Sequence, residues 1–385
     1  MEIKTPNSSA HYMPQLDGLR AFAVGAVLIR HFFYPERIGG VDFALLAVWL
    51  FFVLSGFLIT GILLRSRDQV EYHGHQRYLE LRQFYIRRFL RIFPLYYLVL
   101  SIAALLDLSD VRDTIFWHLA YASNYLFAIQ GQYGSVTGHL WSLAVEEQFY
   151  LLWPALILFA PRRFLLKVII TAIAVGPTFR LFGHFLDFNW VTRYAVSPAC
   201  LDSLGIGALL AYYSHHLGAR PTFIKHFRQC ISWLGVPGVI LVLLLQRLEH
   251  YDLLPAAMQH FWFVLEPAAW PLVLAWVINR ASSGFGGMVG QILGSKPLIY
   301  LGTISYGIYV YHLFIYFLVP LLLGQINFDF FILPRTIQFG LLVGMTFGIA
   351  ALSWHFFENP INSLKDYFTC AARRPHQGLQ WPKAV

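Results

Sequence analysis

Long apolar runs, broken at intervals by short polar or basic stretches, set the pattern of this chain. Ten runs are long enough to cross a bilayer: about 16–35, 44–64, 84–106, 141–160, 164–182, 197–214, 230–247, 261–279, 297–323 and 334–357. A helix advances only about 1.5 Å per residue, so roughly 20 apolar residues are needed to span the hydrocarbon core. The pattern predicts an all-α, polytopic integral membrane protein with about ten transmembrane helices. A further apolar piece, 114–130, is short and interrupted by polar residues. It reads as a re-entrant or interfacial segment.

Loop charge orients these runs. The chain is 57% hydrophobic and 12% charged, with a net charge of +8; soluble domains carry about 25% charged residues. In a soluble protein that positive charge points to nucleic acid. Here the basic residues gather in alternate loops. With ten crossings and the N-terminus inside, 21 of the 28 Lys and Arg fall on the cytoplasmic side or at its helix ends, as the positive-inside bias requires. If 114–130 crossed, Arg162, Arg163, Arg220, Lys225 and the basic tail would all lie outside, so the segment returns to the side it came from. Both termini are then cytoplasmic, and membrane lipid, not nucleic acid, is the surrounding partner. Residues 1–15 are polar and lack the apolar core of a cleaved signal peptide. No linker or repeat divides the chain, which reads as a membrane domain over 1–360 and a short basic tail over 361–385.

Chemistry enters through charges inside the runs. Asp17, Arg20, Arg30 and His31 all lie in the first. Arg20 and His31 are eleven residues apart, only about 20° past three full turns and roughly 16 Å apart along the axis. Ionisable groups in a spanning helix normally face a cavity or pathway, and an imidazole there can act as general base or acyl carrier. The plainer alternative is an arginine snorkelling to headgroups and a histidine used in packing. Arg87, Arg88 and Arg91 open the third run, with Arg87 and Arg91 on one face at i, i+4. Their forked guanidiniums suit a phosphorylated cytoplasmic donor; taken alone, topological anchoring is the favoured explanation.

His139, Ser142, Glu146 and Tyr150 follow 3, 4, 4 spacing and make one polar ridge, with Glu146 as a group to orient and charge-balance an imidazole. Ser305, Tyr309 and His312 repeat at i, i+4, i+7. Asp202 is a carboxylate on a small-residue helix, where Gly205 and Gly207 favour close packing. Ser55-Gly56 in the second run reads mainly as a packing feature. The three cysteines and fifteen histidines show neither a disulfide framework nor metal-ligand spacing.

In order, these motifs resemble the membrane-bound acyltransferase-3 family. They are Leu16-Asp-Gly-Leu-Arg20 with His31, Phe51-Phe-Val-Leu-Ser-Gly-Phe-Leu-Ile59, Arg87-Arg-x-x-Arg-Ile-x-Pro-x-Tyr96, and His139-x-Trp-Ser-Leu-x-Val-Glu146 with Gln148-Phe-Tyr150. Leu201-Asp-x-Leu-x-x-Gly207, Ser305-Tyr-Gly-Ile-Tyr309 with His312, and Phe357-Glu-x-Pro360 complete the set. The resemblance implies an O-acyltransferase of a bacterial inner (plasma) membrane. Its donor is acyl-coenzyme A, usually acetyl, a substrate rather than a permanently bound cofactor. Its acceptor is a hydroxyl of a surface or lipid-linked glycan such as O-antigen, lipopolysaccharide or exopolysaccharide. A macrolide, a lipid or peptidoglycan is the alternative, and a transporter or flippase the more distant one.

By the same resemblance His31 is the catalytic histidine, with Arg20 paired to it. Arg87, Arg88 and Arg91 match the arginine motif and bind donor phosphates. Glu146 matches the acidic position and Asp202 the later one. Many bacterial members carry an extra outer hydrolase-like domain, for which this sequence has no candidate segment. Transfer is then direct, or completed by a separate extracytoplasmic partner.

Overall fold

The computed structural model describes residues 12–33, 40–108, 111–216 and 221–368. The polar start, Arg220 and the end of the basic tail fall outside them. Helices account for nearly all that is described. They are α1 (Pro14–Phe32), α2 (Phe43–His73), α3 (Arg77–Leu105), α4 (Val111–Leu119), α5 (Ser123–Gln130), α6 (Leu140–Phe159), α7 (Arg162–Phe185) and α8 (Trp190–Ala195). There follow α9 (Ser197–His216), α10 (Pro221–His250), α11 (Ala256–Ser283), α12 (Gly287–Leu293), α13 (Lys296–Thr303), α14 (Ser305–Gly324) and α15 (Arg335–Ser353). The apolar runs of the sequence are all helical, one of them in two pieces. Among the described residues, 8 helices are long and apolar enough to cross a membrane. The chain is therefore an all-α polytopic membrane protein.

α1 is not among these eight, yet it is central to the bundle. α1 holds Asp17, Arg20 and Arg30 in 19 residues, yet it touches α2, α11, α12, α13, α14 and α15. Neighbouring helices thus shelter its charges from lipid. Arg30 pairs with Asp42 at 3.6 Å, and Asp42 caps α2 by accepting from the amides of Ala44 (3.0 Å) and Leu45 (3.1 Å). One carboxylate therefore caps two orphan amides and lies within ion-pair distance of a cation.

One expectation changes. The run 297–323 is not one helix: it breaks between α13 and α14. Ser305 Oγ donates to the Gly302 carbonyl at 2.8 Å at that break, and a Cβ on Gly302 would overlap the Asp17 carbonyl. Backbone contact with α1 thus sets where the helix stops. The segment 114–130 forms parts of two helices, α4 with 9 residues and α5 with 8, each too short to span. At the turn between them, Tyr96 and Tyr97 donate to the carbonyls of His118 (3.0 Å) and Leu119 (2.9 Å). Gln148 donates to the carbonyl of Tyr121 at 2.7 Å. Tyr96 precedes the end of α3 by nine residues, about 13 Å of helix. The pair is a re-entrant hairpin whose tip reaches well into the bundle.

The closest backbone approach joins α2 to α9. A Cβ on Gly56 would overlap the Leu204 carbonyl, and one on Gly207 the Val53 carbonyl. Gly207→Leu is expected to force these helices apart and cost about 1–3 kcal/mol or more, read as a lower unfolding temperature of the purified protein. An unchanged temperature would refute this packing.

Candidate active site

A cavity lies among α1, α2, α3, α6 and α14. Arg20, Arg88 and Arg91 line it together with Glu146, Glu147, Ser55, Tyr150, Ser142, Ser305 and Tyr309. Five helices thus bring three guanidiniums and two carboxylates to one space. The arginine face differs from the expected one. Arg88, Arg91 and Ile92 are on the wall, at i, i+3, i+4, whereas Arg87 is not among the lining residues. Arg88 stacks over the Tyr150 ring at 4.7 Å, and Arg20 pairs with Asp17 at 3.3 Å. Asp17 also accepts from Tyr12 Oη at 2.8 Å, so its role is to hold Arg20.

Glu146 is not the partner of His31. Ser55 Oγ donates to Glu146 and in turn accepts from Tyr150 Oη at 2.8 Å. Ser55, read from sequence as a packing residue, therefore orients a carboxylate in the cavity. Glu147 was not singled out in the sequence and lies on the same wall.

The partner of His31 is another histidine. His31 Nδ1 lies 2.9 Å from His312 Nε2, with the two rings stacked at 5.0 Å. His312 Nδ1 lies 2.6 Å from the Tyr309 carbonyl. A carbonyl only accepts, so in neutral His312 the proton sits on Nδ1 and Nε2 offers a lone pair. His31 Nδ1–H then donates to that lone pair, leaving His31 Nε2 unprotonated. One backbone carbonyl, acting through His312, selects the tautomer in which His31 can take a proton. His139 packs edge-on against His312 at 4.7 Å and donates from Nε2 to the Val310 carbonyl at 3.1 Å. Two of the sequence ridges therefore meet at the C-terminal end of α1.

Tyr309 joins the histidines to the cavity. Its ring lines the cavity and lies 5.5 Å from those of His139 and His312. Its hydroxyl meets Ser142 Oγ at 2.6 Å and donates to the His139 carbonyl at 2.9 Å. His31 is not among the lining residues, so Tyr309 forms the wall between the charged cavity and the histidine cluster.

Asp202 belongs elsewhere. It forms an ion pair with Arg180 of α7, and Arg180 also donates to the Ala199 carbonyl. Both side chains are buried, at 3% and 1% exposure. Asp202 ties α9 to α7, and no cavity residue contacts this pair in the hydrogen-bond or ion-pair network. Nothing in the sequence marked Arg180 as its partner, since the two are 22 residues apart on different helices.

The acyltransferase-3 model, described as an acyltransferase domain, matches residues 13–355. The peptidoglycan O-acetyltransferase OatA of Listeria monocytogenes is 30% identical over 392 residues, covering 95% of this chain and 58% of that protein. The O-acetyltransferase OatA of Staphylococcus aureus is 28% identical over 407 residues, covering 98% of this chain and 61% of that protein. The chain thus spans about three fifths of the length of these relatives. No solved structure matches it.

Proposed function

The chain belongs to the acyltransferase-3 family, and on that premise we propose that it is a membrane O-acetyltransferase moving an acetyl group from cytoplasmic acetyl-coenzyme A to a hydroxyl of a cell-envelope glycan. The observation that carries this reading is the two-part site: a cavity walled by three arginines, and beyond Tyr309 a histidine with an unprotonated Nε2. Relatives named for peptidoglycan O-acetylation favour peptidoglycan over O-antigen or exopolysaccharide as the acceptor class. The basic loops support cytoplasmic termini, and the bacterial relatives support a plasma-membrane location.

In this reading Arg20, Arg88 and Arg91 bind the anionic end of the donor, and the thioester extends toward Tyr309. The acceptor hydroxyl reaches His31 from the opposite end. His31 Nε2 removes the hydroxyl proton as the oxygen attacks the thioester carbonyl. The tetrahedral adduct collapses, the carbon–sulfur bond breaks, and the proton returns from His31 to the departing sulfur. While protonated, His31 donates its Nδ1–H to His312 Nε2, which steadies the imidazolium without a carboxylate. The Tyr309 ring, held by its hydroxyl contacts to Ser142 and the His139 carbonyl, flanks the point where thioester and imidazole meet.

The test is label transfer from acetyl-coenzyme A to a peptidoglycan fragment by purified protein. Arg88→Ala and Arg91→Ala are each expected to raise the KM for acetyl-coenzyme A roughly ten- to a hundredfold, because a charge-assisted hydrogen bond contributes about 1.5–3 kcal/mol. Wild-type protein that moves no label, or arginine variants with unchanged KM, would remove the basis of this reading. A transporter would leave the label on coenzyme A.

A further inference from the structure

The cavity changes character along its length. Beyond its charged part the lining is Val48, Phe51, Phe52, Leu143 and Tyr309, with the Ser142 hydroxyl turned to that of Tyr309 at 2.6 Å. Val48 and Phe51 precede Ser55 on α2 by seven and four residues, roughly 10 and 6 Å farther from the arginines. Leu143 lies about one turn from Glu146 on α6, and Tyr309 one turn from Ser305 on α14. These offsets converge on an apolar chamber directly beneath the histidine cluster.

Its far wall is pinned. Tyr309 is held through its hydroxyl by Ser142 at 2.6 Å and His139 at 2.9 Å. Its own carbonyl receives the His312 N–H at 2.6 Å. Phe51 meets the Tyr309 ring edge-on at 6.2 Å. Val48 and Leu143 are buried at 6% and 7% exposure. A group entering here finds apolar walls, and the wall behind it cannot retreat without breaking hydrogen bonds.

We propose that Val48, Phe51, Leu143 and Tyr309 form the acyl-group subsite, and that Phe51, set against Tyr309, restricts the transferred group to acetyl. The inference rests on the reading of this cavity as the donor site. The subsite makes and breaks no bond; it selects which acyl carbon reaches the attacking oxygen. Chains longer than acetyl must push against packed side chains, which costs roughly ten- to a hundredfold in rate.

The experiment compares kcat/KM for acetyl-, propionyl- and butyryl-coenzyme A with one acceptor. Phe51→Ala is expected to raise the butyryl-to-acetyl ratio of kcat/KM at least about tenfold. Phe51→Leu, which preserves more of the packing, gives a smaller rise in the same direction and serves if the alanine variant does not fold. Val48→Phe narrows the chamber and lowers propionyl transfer more than acetyl transfer. Folded Phe51 and Val48 variants with wild-type ratios would overturn the subsite while leaving the donor reading intact. Wild-type protein that accepts none of the three thioesters overturns both.

Discussion

His31→Ala is expected to lower acetyl transfer by about 10²–10⁴-fold, the usual contribution of a positioned general base. The protein should still reach the membrane at its normal level, because His31 sits at the end of α1 and, among the described residues, its hydrogen-bond partner is His312. The measurement is label transfer from acetyl-coenzyme A at matched amounts of protein. His312→Phe, which removes the acceptor for His31 Nδ1–H, should cost less. It leaves the catalytic ring in place but lets both neutral tautomers form. Its signature is a changed pH profile with little change in donor KM. Glu146→Gln distinguishes the arrangement seen here from a carboxylate–imidazole pair. Because Glu146 is bonded through Ser55 to Tyr150, its loss should be felt in donor binding. If instead Glu146→Gln reproduced the pH profile of His312→Phe, the histidine pair would not be what sets the tautomer. Full activity of His31→Ala would end its assignment as the base.

The second large effect concerns stability. Arg180→Met or Asp202→Leu alone should destabilise the bundle by about 3–5 kcal/mol, because either change leaves an uncompensated buried charge. The double variant, with apolar groups on both sides, should recover most of that loss. Thermal unfolding in detergent, with the four variants as a cycle, reads this directly. The expected signature is that the double variant melts higher than either single one. A catalytic Asp202 predicts otherwise: Asp202→Leu would abolish transfer with its melting temperature unchanged, and Arg180→Met would not be rescued.

Different parts of this molecule were legible in the sequence to different degrees. Helix positions were readable because lipid imposes one local rule, that the backbone hydrogen-bonds within the helix and shows an apolar surface. The motif residues were readable as candidates, since intramembrane charge is costly and marks itself. Partners were not readable. The ridge of His139, Ser142, Glu146 and Tyr150 was correct as a ridge. Yet its members divide between two environments, His139 with the histidines and Glu146 with Ser55 and Tyr150. The arginine motif was correct as a cluster, but its cavity face is Arg88 and Arg91. Helical periodicity tells which residues share a stripe, not which neighbouring helix that stripe meets.

The opposite fates of two carboxylates make the same point. Glu146 and Asp202 both stood out as charges in apolar helices. Only packing separated them, because α7 offers Arg180 to one and α2 offers Ser55 to the other. Arg30 is similar: on its own helix it is an unexplained charge, and across the gap it is paired with the cap of α2.

By itself the sequence determined an all-helical membrane bundle, the approximate span of each long helix, and a set of costly polar residues strung along it. Those follow from interactions within about one turn of a helix and from the surrounding solvent. Tertiary structure alone decided that His31 faces His312, that Tyr309 divides the cavity from the histidines, and that Asp202 is a tie between helices. Those facts depend on rotations and depths of helices far apart in the chain, set by contacts such as Gly56 on Leu204 and Gly302 on Asp17.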